Sequence, residues 1–258
     1  MWERAELKQR AKNILRNNYW MAFAVCLVAG VITGGISGVS SRFNNGSTGN
    51  FANFKNGDIN LEALTAIIIA AFFIASIVIA ISVVFSFFVT NPISVGKAKY
   101  FLNSREGRGN IADLFFAFNG SRYIGIVGAM AWRVLFTWLW SLLFIIPGIV
   151  KAFAYSMTPY ILAENPNIGY QRALKLSIAM TDGNKGEIFV MGLSFIGWYL
   201  LGLVACCVGV LFVNPYFETT MAELYIELRN SAIYRGLCSP QELNLIPIDP
   251  MGQNTVNP

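Results

Sequence analysis

The sequence predicts an all-α integral membrane protein with about six transmembrane helices in three hairpins and basic amphipathic helices at the interface. Three observations lead there. Of 258 residues, 55% are hydrophobic and only 13% charged, and the mean hydropathy is +0.53. Soluble domains carry about 25% charged residues, so this chain has too little polar surface to coat a water-soluble globule of its size. The apolar residues are also gathered into long uncharged runs, and a transmembrane helix needs roughly 20 such residues. Finally, lysine and arginine collect beside those runs, as they do on cytoplasmic flanks.

The elements follow in order. Residues 2–18 carry Arg4, Lys8, Arg10, Lys12 and Arg16, while Leu7, Ala11, Ile14 and Leu15 recur at helical spacing. Such a helix beside a span lies in the headgroup plane; the plainer alternative is a topogenic charge cluster. The first span, 19–39, is too long for a cleaved signal and reads as a retained anchor. Within it Gly30, Gly34 and Gly38 form a ridge for close helix packing, or else the lining of a pore. Residues 41–62, rich in Asn, Gly and Ser, read as a flexible loop.

The second span is 64–90, and Asn91-Pro92 marks its end. Lys97, Lys99, Arg105, Arg108 and Arg122 accompany a second amphipathic pattern of Ile111, Leu114, Phe115 and Phe118. Spans 123–146 and 149–163 are joined at Pro147-Gly148. Proline suits a first helical turn but not a helix interior, and glycine permits a tight reversal. A link that short lies at the edge of the hydrocarbon, because unpaired backbone groups cannot face lipid. Arg172, Lys175 and Lys185 form a third basic stretch. Spans 188–210 and 214–229 follow, with a hairpin turn at Pro215. Residues 1–229 thus form one polytopic domain, and 230–258 a polar, loosely ordered cytoplasmic tail.

Six crossings put both termini on one side. That side then holds fifteen Lys/Arg against two opposite, which predicts N-in and C-in topology in a cytoplasmic (plasma) membrane. The stretches FFVTNPISVGKAKY, LFIIPGIVKAFAY and LFVNPYFETTMAELY look alike, but this topology puts the first proline inside and the others outside, against a strict threefold repeat.

Several function classes fall away. With no histidine, the Ser-His-Asp triad, His-ligated zinc and a histidine proton shuttle are absent. Of the four cysteines, Cys206 and Cys207 are adjacent, a spacing that rarely meets disulfide geometry, so buried small hydrophobes are the reading preferred over a redox pair. There is no phosphate loop and no paired-carboxylate motif in a soluble domain. No enzyme, metal or cofactor is expected. The net charge of +5 sits beside apolar runs, so the expected partners are the lipid bilayer and its anionic headgroups rather than nucleic acid. A homo-oligomer or a membrane protein partner is a further expectation.

Ionisable residues inside spans are functional candidates, because burying each costs about 2.5–3.5 kcal/mol on insertion scales. Arg133 falls near the midplane of its span. Glu223 stands eight residues past Pro215, roughly 12 Å of helix rise, at a comparable depth. The sequence therefore pairs Arg133 with Glu223, and Lys151 with Glu218 at a shallower level, with Glu227 one turn below Glu223. Such pairs either fix helix packing or line a polar path for a solute.

The Pro147-Gly148 hairpin with Tyr155, then LAENP at 162–166, SIAMTDG at 177–183, SFIGW at 194–198 and Asn214-Pro215-Tyr216, occur in this order. Together they resemble the bacterial multi-pass family catalogued as domain of unknown function 975, over about Ala5 to Tyr225. More distantly the chain is similar to the membrane portion of some glycerophosphodiester phosphodiesterases, without their catalytic domain. The resemblance implies a multi-pass fold in a bacterial membrane and no catalytic residues. Taken with the intramembrane charges, the expectation is small-solute or ion transport. The alternative is a non-catalytic scaffold or accessory protein acting through partner or lipid contacts.

Overall fold

The structure is a computed structural model describing residues 2–48, 61–143, 145–204 and 208–245, and among these it is helical with no strand. Helix α1 (Arg4–Thr48) is two helices in one. It bends by 97° between Arg4–Arg16 and Asn18–Thr33, and Asn18 absorbs the bend with non-helical φ −126° and ψ 20°. In the first half Leu7, Ala11 and Leu15 are buried, whereas Arg4, Lys12 and Arg16 are exposed.

Helix α2 (Leu61–Phe85) continues through a π-helical turn (Ser86–Thr90) into α3 (Asn91–Arg105). Pro92 cannot donate to the Phe88 carbonyl, and a wide turn is how a helix absorbs such a loss. The Tyr123 hydroxyl donates to that carbonyl instead, at 2.7 Å. The two halves of this long helix live in different surroundings. Ile68, Phe72, Phe73 and Ile77 of α2 are all exposed, while Ile93, Val95, Tyr100 and Phe101 of α3 are buried. A helix apolar all round is stable only when something apolar surrounds it.

A 3₁₀ segment (Ile111–Phe118) follows, capped by Asn110, whose side chain accepts from the Ala112 N–H while Asp113 accepts from the Asn110 N–H, each at 3.1 Å. It lays Leu114 and Ala117 against α3. Helix α4 (Tyr123–Leu143) packs with α5 (Ile145–Ala154) as a hairpin. Here Pro147 and Gly148 are not the turn itself. They sit in the first turn of α5, where the missing proline N–H costs nothing. Gly148 serves close packing: a Cβ there would lie 2.6 Å from the Ser141 Cα.

The predicted span 149–163 is interrupted. Helix α5 stops at Ala154 and α6 (Thr158–Glu164) restarts after a turn, with Pro159 in its first turn. Helices α7 (Tyr170–Thr181), α8 (Lys185–Val204) and α9 (Val208–Tyr234) complete the chain. Pro215 lies inside α9, not at a hairpin turn. The α8–α9 reversal comes earlier, and there the backbones nearly touch: a Cβ on Gly202 would lie 2.8 Å from the Gly209 carbonyl carbon. Helix α9 runs through the centre, with α1, α3, α7 and α8 packed on it, and its Ala222, Leu224, Tyr225 and Leu228 are buried.

Among the described residues two helical stretches, Ile67–Arg105 and Tyr123–Leu143, are long and apolar enough to cross a membrane, and a third if bent α1 counts as one span. At 10 and 7 residues, α5 and α6 are each too short to cross alone. Residues 230–245 are not loose: α9 extends to Tyr234 and Leu243 is buried. The loop predicted for 41–62 is instead helix over 41–48, the end of α1, and over 61–62, the start of α2; its residues 49–60 and the Cys206-Cys207 pair lie outside the described residues.

Candidate functional site

The polar residues of the interior meet along one seam where α9 packs against α1 and α3. Three α9 carboxylates take three cations. Glu218 Oε1 pairs with Lys97 Nζ of α3 at 2.5 Å, and Glu223 Oε1 with Arg105 Nε of α3 at 3.1 Å. Glu227 pairs with Arg10 of α1, which also holds Glu6 at 2.6 Å. Hydrogen bonds from Arg10 to Glu227 and then to Glu6 push the guanidinium above its ordinary value. Beside the seam Glu164 of α6 pairs with Arg229 and accepts from the Tyr225 hydroxyl at 2.6 Å.

This is a different pairing from the one the sequence suggests. Arg133 does not meet Glu223, because α4 packs on α3, α5, α6 and α7 rather than on the acidic part of α9. It is half-buried and makes no ion pair among the described residues. Lys151 does not meet Glu218; its ammonium lies 5.1 Å from the Trp140 ring across the α4–α5 hairpin. The depth count failed because Pro215 does not start a helix, so distances counted from it carry no membrane level. Gly30 has open space where a Cβ would go, so it is not a packing contact. The side-chain surroundings of Gly34 and Gly38 lie outside the described residues.

Open space is instructive at Gly30, because it borders a cavity of about 320 Å³. Cys26, Ala29, Gly30 and Thr33 of α1 form one wall, Ile93, Ser94 and Lys97 of α3 with Thr90 a second, and Asn214 and Glu218 of α9 the third. Both proline interruptions, Asn91-Pro92 and Asn214-Pro215, flank it. The Tyr199 hydroxyl donates to Asn214 Oδ1 at 3.0 Å, and the Tyr19 hydroxyl to the Phe212 carbonyl at 3.1 Å. The floor is therefore an ion pair half-open to the cavity, and the walls are hydroxyls, an amide and a buried thiol. Such a lining can bind a small polar or charged solute; it offers no activated nucleophile. Among the described residues no group of His, Cys, Asp or Glu is placed to hold a metal ion.

Sequence reasoning found the acids and missed their partners. Lys97, Arg105 and Arg10 looked like topogenic flanks, since each stands in a basic stretch. The burial of Gly96 and Ala98 on either side of Lys97 is a tertiary fact with no counterpart in the charge pattern. A second missed contact ties the chain's end. Arg172 Nε and Nη2 grip Glu242 at 2.5 and 3.0 Å, and Asn244 Nδ2 donates to the Glu164 carbonyl at 3.0 Å. The Arg172 hydrogen bond holds the Glu242 carboxyl below the usual carboxylate range.

Residues 126–232 match one family model. That family is DUF975, described as a protein of unknown function. The DUF975 segment is shorter than the likeness read over Ala5 to Tyr225, but it contains all the motifs that carried that reading. It spans α4 from Ile126 to most of α9. The cations that satisfy Glu218, Glu223 and Glu227 all come from outside it, on α1 and α3. No curated protein and no solved structure matches the chain, so the more distant likeness to glycerophosphodiester phosphodiesterases finds no support.

Proposed function

We propose that this is a non-catalytic, multi-pass membrane protein that binds a small polar or charged solute between α1, α3 and α9 and carries it across the bilayer. The observation that carries this reading is the Lys97–Glu218 pair at the floor of a polar cavity, between two proline-interrupted helices. A half-buried ion pair is an exchangeable lock. A solute bearing either charge replaces one partner for the other, and helices interrupted by proline are where backbones rearrange most easily. A multi-pass arrangement in a bacterial plasma membrane, with both termini inside as the charge count above suggests, supplies the two compartments.

The test is uptake into vesicles containing the purified full chain, with a labelled amino-acid mixture in one arm and K⁺ or Na⁺ reported by ion-sensitive dyes in the other. Flux that disappears in Lys97→Met and in Glu218→Gln supports the reading. A second reading, a scaffold, is favoured by α2, whose Ile68, Phe72, Phe73 and Ile77 are exposed. Absence of flux in every arm, together with a partner of fixed stoichiometry bound through α2, would replace transport by the scaffold.

A further inference from the structure

An open groove of about 690 Å³ lies away from the Lys97–Glu218 cavity, between the start of α1 and α8. It is lined by Trp2, Glu3, Arg4, Lys8, Glu187 and Ser194. We propose that it is a binding site for a phosphoethanolamine headgroup of the membrane in which the protein sits.

Because α1 turns by 97° at Asn18, its basic first half lies across the protein while its second half enters the first apolar run. That places the groove where an interfacial helix meets a span. Its charges are balanced, two acids against two bases, and they are available: Glu3, Arg4 and Glu187 make no ion pair among the described residues. The donors suit a phosphate. Lys8 Nζ donates to Ser194 Oγ at 2.7 Å and lies 4.5 Å from the Phe195 ring centre, so its position is fixed. The Trp2 indole N–H is shielded from water and has no acceptor among the described residues. An unmet buried donor is costly and calls for an acceptor.

The acids suit an ammonium that can donate hydrogen bonds. Ethanolamine has one; choline, fully methylated, does not; glycerol carries no cation. Elsewhere on α8 Phe189, Val190, Leu193 and Ile196 are exposed and apolar, as suits a helix beside acyl chains. Burial, and then repulsion from Arg4 and Lys12, draws the Lys8 ammonium below its ordinary value, a cost that a neighbouring phosphate relieves.

The test uses the full chain reconstituted in equimolar phosphatidylethanolamine, phosphatidylcholine and phosphatidylglycerol, then extracted mildly, with retained lipid read by native mass spectrometry. Phosphatidylethanolamine is expected to exceed phosphatidylcholine by about tenfold, the value of one charge-assisted hydrogen bond. Glu187→Gln should erase most of that preference while retaining lipid. Arg4→Gln with Lys8→Gln should lower retention of all three. Circular dichroism confirms that each variant remains helical, and the milder Glu3→Gln repeats the test of the ammonium contact. Equal retention of the ethanolamine and choline lipids by the native chain overturns the proposal. So does a preference unchanged by both acid variants, or a dominant phosphatidylglycerol signal, which would leave only a general basic surface.

Discussion

Replacing Arg105 by glutamine tests the seam most directly. The Glu223 side chain is 2% exposed and Arg105 Nε stands 3.1 Å away, itself 40% exposed. At an effective dielectric near 20, two unit charges at that separation attract by about 5 kcal/mol, an upper bound. Water at the open Arg105 end screens much of this, and comparable half-exposed pairs retain about 2 kcal/mol. Arg105→Gln leaves a buried carboxylate with only the more distant Arg10 to balance it, so the full loss should reach about 2–3 kcal/mol. In thermal unfolding of the detergent-solubilised chain this corresponds to a midpoint lower by about 5–10 °C. Arg105→Gln combined with Glu223→Gln should recover most of the loss, giving a coupling near 2 kcal/mol in the double-mutant cycle. A coupling below about 0.3 kcal/mol, with Arg133→Glu rescued by Glu223→Arg, would refute the seam and restore the pairing that the sequence suggests.

Two further perturbations read other parts of the fold. Gly96→Ala puts a Cβ 1.9 Å from the Leu114 carbonyl oxygen, backbone that must move; destabilisation of about 1–3 kcal/mol is expected by thermal unfolding, whereas Gly30→Ala, facing open space, should be near neutral on stability. The Glu242 clamp is pH-dependent. Its folded carboxyl titrates below the ordinary value of about 4.3, so its stabilising contribution is complete above that value and is lost as pH falls through the folded value. Hydrogen exchange over residues 236–245, corrected for intrinsic rates, should stay constant from about pH 7 to 5 and rise below about pH 4. In Glu242→Gln that step should vanish.

The helices apolar enough to cross a membrane were legible because they rest on composition. Apolar runs, basic flanks and the absence of histidine are properties of the chain in one dimension. The amphipathic phase of Leu7, Ala11 and Leu15 was equally readable, since period alone decides which face a helix buries. The helix breaks were harder. Proline was read as a terminator at 147 and 215, yet it stands inside helices at both places, in the first turn of α5 and within α9, while at Pro92 the Tyr123 hydroxyl takes the carbonyl that proline leaves unpaired. A sequence specifies that a donor is missing; it does not say which distant hydroxyl compensates.

By itself, then, the sequence determined the helical class of this protein, its long apolar runs and the three acids of α9, because transfer free energy and helical period are local quantities. Which cation meets which acid was decided only by tertiary structure. Charge pairing depends on which helices share an interface, and that is set by packing of α9 against α1 and α3, not by equal distances counted from prolines along the chain.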